Sequence, residues 1–296
     1  MRCLSRENTV PHGRRYQVFD PVMTIEAGET IVVETINHMT PVVRGAEDLH
    51  AHGSEEYQER KETGPIFVTG AEPGDMLAVK IEKIEVVGVP HAHGSGPLLD
   101  RFPQKPLLFP YEDGRIVFPG GLSVPYAPMV GDIYTTPERP KDNFFDHGGN
   151  MDFTEVKPGN TLFLPVFRPG GLLVLGDVHA AQGDGEIYGE AAETASDVTI
   201  TVNIDRRYRS PRPIVETDDS LICLAGRGVL FESLKLAVRD MTELLARLYG
   251  VEREEAYILC TTVGSLRTAG CVCYNGKSME KWTLAALSVP KDLRKI

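Results

Sequence analysis

The apolar positions of this chain fall into short runs closed by turns, and the runs carry two periods. Thr30–Ile36, TIVVETI, is rich in β-branched residues and predicts a strand. Met76–Val87, MLAVKIEKIEVV, predicts a longer one. Its apolar residues occur at both parities: Leu77, Val79 and Ile81 share one, and Met76, Ile84 and Val86 the other. That mixture suits a strand covered on both sides near one end. IEAGETIVVE, GAEPGDMLAVK and EVKPGNTLFLP repeat one local scheme. A glycine (Gly28, Gly74, Gly159) and a polar or acidic residue precede one more residue and then an apolar run. Turn-then-strand units of this kind suit sandwiches and barrels. Residues 88–150 are rich in Gly and Pro, and prolines are excluded from central strands. They predict long ordered loops with short edge strands between them, and loops that long in a compact domain usually serve function.

The period changes in the last third. Leu234, Val238, Met241, Leu245 and Leu248 recur at helical spacing within Leu230–Tyr249, and Gly250 follows as a C-cap. Val251–Leu259 predicts a second, shorter helix and Ser265–Tyr274 a strand. The fold class expected is α+β: a β-rich, sandwich- or barrel-like body with a helix-containing C-terminal portion. Residues 1–205 form the expected body and 206–296 the C-terminal portion packed on it, with the seam in Asp205–Asp219, the alternative being one domain throughout.

Composition narrows the class. A chain of 296 residues, 42% hydrophobic and 25% charged, can bury a substantial core without staples. No apolar run approaches the ~20 residues that span a bilayer. The opening MRCLSRENTV has no apolar signal core. The formal charge of −11, with basic residues scattered, argues against nucleic acid as a partner and leaves a small neutral substrate open. Five cysteines, an odd number and mostly beside apolar runs, fit reduced thiols in a cytoplasmic protein. Cys271 and Cys273 in GCVCY would share a strand face, where a disulfide would be strained.

The candidate chemistry concentrates in LLVLGDVHAAQGDGEIYGEAAE, Leu172–Glu193. The apolar run predicts a strand that delivers Asp177 and His179, two residues apart, to one face at its end. Asp184 and Glu186 repeat that spacing, and Gly183 and Gly185 bracket Asp184. Carboxylates with an imidazole suit a divalent metal: zinc first, with manganese, iron or calcium as alternatives. Crowded acids repel unless a cation or protons relieve them. Upstream, DHGGNMDFTEV offers His147, Asn150 and Asp152 in a Gly-rich turn, a second wall for the same pocket. His91 and His93 in HAHGSG have the spacing of two ligands on one strand face, and His50 and His52 in LHAHGSEE repeat it before acids that suit a solvated face. His12 and His38 suggest no site. No Gly-x-Ser-x-Gly elbow and no phosphate-cradling loop occurs, so nucleophilic serine chemistry is not expected.

Three segments resemble the acetamidase/formamidase family, in its order and over most of the chain. They are TGPIFVTGAEPGDMLAVKIEKI (Thr63–Ile84), HGGNMDFTEVKPGNTLFLPVFRPGGLLVLGDVHAAQGDGE (His147–Glu186) and EEAYILCTTVGSLRTAG after the first helix. The resemblance implies hydrolysis of short-chain amides to a carboxylate and ammonia, in the cytoplasm, by β-rich, metal-binding homodimers or higher homo-oligomers. It implies a site at Asn150, Asp152, Asp177, His179, Asp184 and Glu186. HAHGSG departs from the family pattern, and Ser265 stands where many members carry an acid.

The function expected is metal-assisted hydrolysis of a linear amide. Asp152, Asp177 and His179 would hold zinc, or else calcium or manganese, with His91 and His93 as further candidate ligands. Glu186 would be the general base, Asp184 the second choice, and Asn150 a donor to the oxyanion. Two rivals remain. One is a metal-stabilised protein that binds a small molecule without catalysis. The other is a metallophosphoesterase, whose Asp-x-His and Gly-Asn-His motifs appear here in the wrong order and with Met151 in place of the histidine.

Overall fold

A computed structural model of the chain describes residues 1–11, 17–37, 42–49, 61–93, 106–139, 145–270 and 283–293. His12, His38, His50, His52, Cys271 and Cys273 lie outside them. Among the described residues the architecture is α+β as expected: one large sheet of sixteen strands, a separate three-stranded sheet, and two α-helices near the C-terminal end. Each of the three glycine turns occurs, with φ of 91°, 96° and 94° at Gly28, Gly74 and Gly159, followed by the strands Glu29–Glu34, Met76–Ala92 and Thr161–Pro165. A side chain at such φ is strained, which is why the scheme repeats glycine.

The mixed parity of the Met76 strand has a local cause. It pairs antiparallel with Glu193–Asp205, but Thr199 opposes Lys83 while the next residue, Ile200, opposes Ile81. One extra residue, Glu82, sits in a β-bulge. Because side chains alternate faces, the extra residue switches the core-facing parity. Leu77, Val79 and Ile81 are buried before it and Ile84 after it.

From the same two strands the large sheet extends in both directions. On one side Glu193–Asp205 meets Leu173–His179, which meets Met129–Tyr134, which meets Gly148–Asn150. On the other side Met76–Ala92 meets Thr161–Pro165, then Ile214–Glu216, Ser220–Arg227, Thr283–Pro290 and the edge strand Ser265–Gly270. The sheet therefore continues across position 205.

The helix α1, Leu230–Tyr249, ends at Gly250 in the left-handed conformation, as its glycine predicts. Its buried face differs from the expected stripe. Ala237, Met241, Leu244 and Leu245 are buried against the Ser220–Arg227 and Thr283–Pro290 strands, whereas Leu248 is 38% exposed. The second helix, α2, spans Arg253–Val263 rather than Val251–Leu259. Val251 is used by the end of α1, where its N–H bonds the Ala246 carbonyl, and Gly264 sets the later stop. Asp240 is buried on α1 and bonds Arg212 at 2.6 Å. Arg212 also holds Asp146 at 2.8 Å, so the helix is tied to the turn that precedes Gly148–Asn150.

The described residues of 88–150 hold more strand than the expected loops. Short strands occur, including the small sheet of Tyr111–Glu112, Arg115–Val117 and Ser123–Pro125. Met129–Tyr134, however, is a central strand buried at every residue. Its Gly131 reads as a turn signal in the sequence, but it serves close packing.

Candidate metal centre

Four strands bring one row of residues side by side. Met129 opposes His179, His179 opposes Glu193, and Glu193 opposes His91. Directly opposed residues share a face of the sheet. The residues that alternate with this row point the other way. These are Ala92, Ala180 and Ala192, and they pack against Phe109 and Ile116. Ile116 belongs to the three-stranded sheet, which thus seals the reverse side of the row.

His179 closes the strand Leu173–His179, where the sequence predicts it. Its Nε2 lies 3.2 Å from Glu193 Oε2 and 3.5 Å from Asp177 Oδ1. Asp177, His179 and Glu193 each offer one donor atom, all within 4.8 Å of one another. A second group of the same kind, Asp152, His179 and Glu186, shares the imidazole. The structure therefore brings Asp152 to the same imidazole as Asp177 and Glu193. Its backbone N–H and that of Met151 both donate to the Gly131 carbonyl, at 3.1 and 3.0 Å. Asn150 Nδ2 donates to Asp152 Oδ2 at 2.6 Å.

The backbone is strained where the acids converge. Six non-glycine residues among those described have positive φ, and three of them are Asp152 (43°), Asp177 (53°) and Glu186 (43°). Each such residue costs about 1–3 kcal/mol and persists only where its surroundings over-determine it. Half of the described non-glycine residues with positive φ are thus donors in one cluster, the clustering expected of a site.

Charge is balanced tightly. Burial opposes a charged His179, but the Glu193 and Asp177 carboxylates outweigh it and hold the imidazole pKa well above its usual value. Burial, and next the Asp152 carboxylate, push Glu186 well above the usual carboxyl range, with Glu193 and Asp177 adding and His179 opposing. The raised proton affinity of Glu186 and of the imidazole relieves the repulsion among the neighbouring acids. A divalent cation would relieve it in the same way. The donor set, one imidazole nitrogen with carboxylate oxygens, fits such an ion.

Gly131 is the floor on which the two walls meet. A Cβ built there would fall 2.5 Å from Asp152 Oδ1, 2.8 Å from the Asp177 carbonyl and 2.9 Å from Asp177 Oδ2. Gly131→Ala is expected to cost about 1–3 kcal/mol through overpacking, and to lower the metal bound per chain because both carboxylates must move. Denaturant unfolding and metal analysis check this; an alanine variant unchanged in both would remove Gly131 from the site.

Other expected residues are placed elsewhere. Asp184 is exposed and outside both donor groups; it accepts from Thr154 Oγ1 at 2.8 Å and pairs with Arg267 at 3.2 Å. The two-residue spacing of Asp184 and Glu186 does not put them on one face because the segment is a turn, not a strand. His91, in the row, and His93, two residues on, are both buried but join neither donor group. His91 Nδ1 lies 3.3 Å from the Val89 carbonyl, and the His93 N–H donates to Glu190 Oε2 at 2.5 Å. Ser265 is exposed on the edge strand; it is Arg267 of the same Ser-Leu-Arg that reaches the site loop.

Sequence reasoning missed Glu193, Gln182 and Gly131. Glu193 is fourteen residues from His179, and only the register makes them neighbours. An acid at the head of the β-branched run Glu193–Asp205 was the available signal.

The fold and the comparisons agree on one family of proteins. The chain belongs to the Acetamidase/Formamidase family, which it matches over residues 2–112 and 135–292. Gly131 lies between the matched stretches. An acetamidase structure from Bacillus halodurans is 30% identical, with 97% of each chain covered and a TM-score of 0.81. A predicted acetamidase/formamidase from Thermoanaerobacter tengcongensis is 28% identical, covering 97% of this chain and 95% of that one, with a TM-score of 0.84. A putative formamidase of Schizosaccharomyces pombe is 44% identical over 71 residues, a stretch that spans 24% of this chain and only 16% of that protein. No helix among the described residues is long and apolar enough to cross a membrane.

Proposed function

We propose that this chain hydrolyses short-chain linear amides to a carboxylate and ammonia. In this reading Asp152, Asp177, His179 and Glu193 hold a divalent cation, zinc first and manganese or calcium next, and Glu186 is the general base. The observation that carries it is the convergence of two donor groups on the single imidazole of His179.

An amide resists water because nitrogen donation weakens the carbonyl electrophile and makes nitrogen a poor leaving group. When bound, the cation supplies Lewis-acid polarisation of the carbonyl and acidifies water. The division of labour among the acids follows burial. Asp152 and Glu193 are buried, and the Asp177 side chain is 5% exposed, as suits groups that hold position. Glu186 keeps a partly exposed surface, as suits a group that must exchange protons with solvent. A Glu186 carboxylate oxygen takes the proton from the attacking water and returns it to the departing nitrogen. Asn150, whose Nδ2 bonds Asp152 Oδ2, orients that ligand. Asp184 takes no part.

The test is ammonia release from formamide, acetamide and propionamide, after chelation and after addition of zinc, manganese or calcium. Turnover that disappears on chelation and returns with one ion supports the reading and ranks substrates and metals. Ammonia release indifferent to chelator keeps the amidase and discards the cation. Metal uptake with no ammonia from any of the three leaves binding without catalysis.

A further inference from the structure

We propose that Gln182 is a positioning residue that fixes the tautomer of His179 and locks its ring to the Asp152 turn. The inference rests on the metal-site reading above, which gives His179 Nε2 its task. Gln182 lies three residues after His179, and its side chain bridges two segments that are distant in sequence. Its Nε2 donates to the Asp152 backbone carbonyl at 2.5 Å. Its Oε1 faces His179 Nδ1 at 2.6 Å.

The orientation of this amide follows from what its partners can do. A backbone carbonyl only accepts hydrogen bonds, so the nitrogen of Gln182 must face Asp152. The amide oxygen is thereby turned to the imidazole. That oxygen also only accepts, so His179 Nδ1 must carry a hydrogen and donate it. Turning the amide over would set two oxygens against each other at one end. The neutral ring therefore holds its lone pair on Nε2, which faces Glu193 and Asp177 at 3.2 and 3.5 Å. Partners that hold the far nitrogen of a ligating histidine typically set metal affinity or activity by 10–100-fold. Here the same side chain also bonds the residue that carries a second ligand, so one amide aligns both walls of the pocket.

The experiment is nitrogen-15 NMR of the full chain with labelled histidine, metal-free and zinc-loaded. A His179→Gln variant identifies the His179 signals by their loss. The expected result in the zinc-loaded form, where one ring nitrogen holds the metal, is a protonated Nδ1 and an Nε2 without hydrogen. An unprotonated Nδ1 in either form overturns the proposal. Gln182→Leu removes donor and acceptor together and is expected to weaken zinc binding by about 10–100-fold, read by chelator competition. Gln182→Glu keeps an acceptor for Nδ1 and is expected to preserve the Nδ1–H signal. Zinc affinity unchanged in the leucine variant would also overturn it. If Gln182→Leu does not fold, the wild-type spectra still decide. Failure of the amidase reading is separately visible, because it shows as absent ammonia release while the His179 spectrum remains readable.

Discussion

Glu186→Gln is expected to lower kcat by about 10²–10⁴-fold, the usual share of a general base, while metal bound per chain stays unchanged. The substitution keeps the shape of the side chain and removes its ability to take a proton. Burial and the neighbouring carboxylates raise the affinity of Glu186 for a proton, the direction a general base needs. Asp152, Asp177 and Glu193, which are assigned to the cation, are untouched by the change. Steady-state kinetics with metal analysis of the same preparation check it. Loss of metal with activity retained would rule out the assignment, and loss of both would make Glu186 a ligand.

His179→Ala is expected to abolish both metal binding and turnover, and to destabilise the metal-free protein by about 3–5 kcal/mol, the cost of breaking a buried ion pair. His179 is the one residue common to both donor groups. Its side chain is wholly buried, and the Asp177 and Glu193 side chains it faces are 5% and 4% exposed. Alanine takes away the imidazole from both carboxylates and leaves a cavity. Replacing a ligand differs here from replacing a base, because stability falls as well as activity. Urea unfolding of the metal-free variant beside wild type measures the stability part. A variant as stable as wild type, or one that still binds a stoichiometric cation, would show that the two acidic groups do not depend on the shared ring.

Much of the site was legible because the chemistry is local. Asp177 and His179 sit where an apolar run ends, and a strand of that length must place them at its end on one face. Asn150 and Asp152 follow two glycines, and the turn they imply is present, with Asn150 bonded to Asp152. Asp184 and Glu186 share a face only in a strand, and the glycines around them make a turn that sends Asp184 to Arg267. His91 and His93 have ligand spacing, but ligand spacing does not bring donor atoms within reach of one another.

What the amino-acid sequence determined by itself is the content of the elements. β-Branched runs after glycine turns made strands, a 3.6-residue period made α1, and the acids and imidazole of one segment announced a site. The tertiary structure decided which strands lie side by side. Register places Glu193 opposite His179, a bulge at Glu82 sets which side of the Met76 strand faces the core, and a buried strand within a Gly- and Pro-rich segment supplies Gly131 beneath two carboxylates. Local propensity acts over a few bonds of one chain segment, whereas pairing is a contest among many strands settled by burial of whole faces. That is why the ligands on one strand could be read from the chain, and the partner that completes them could not.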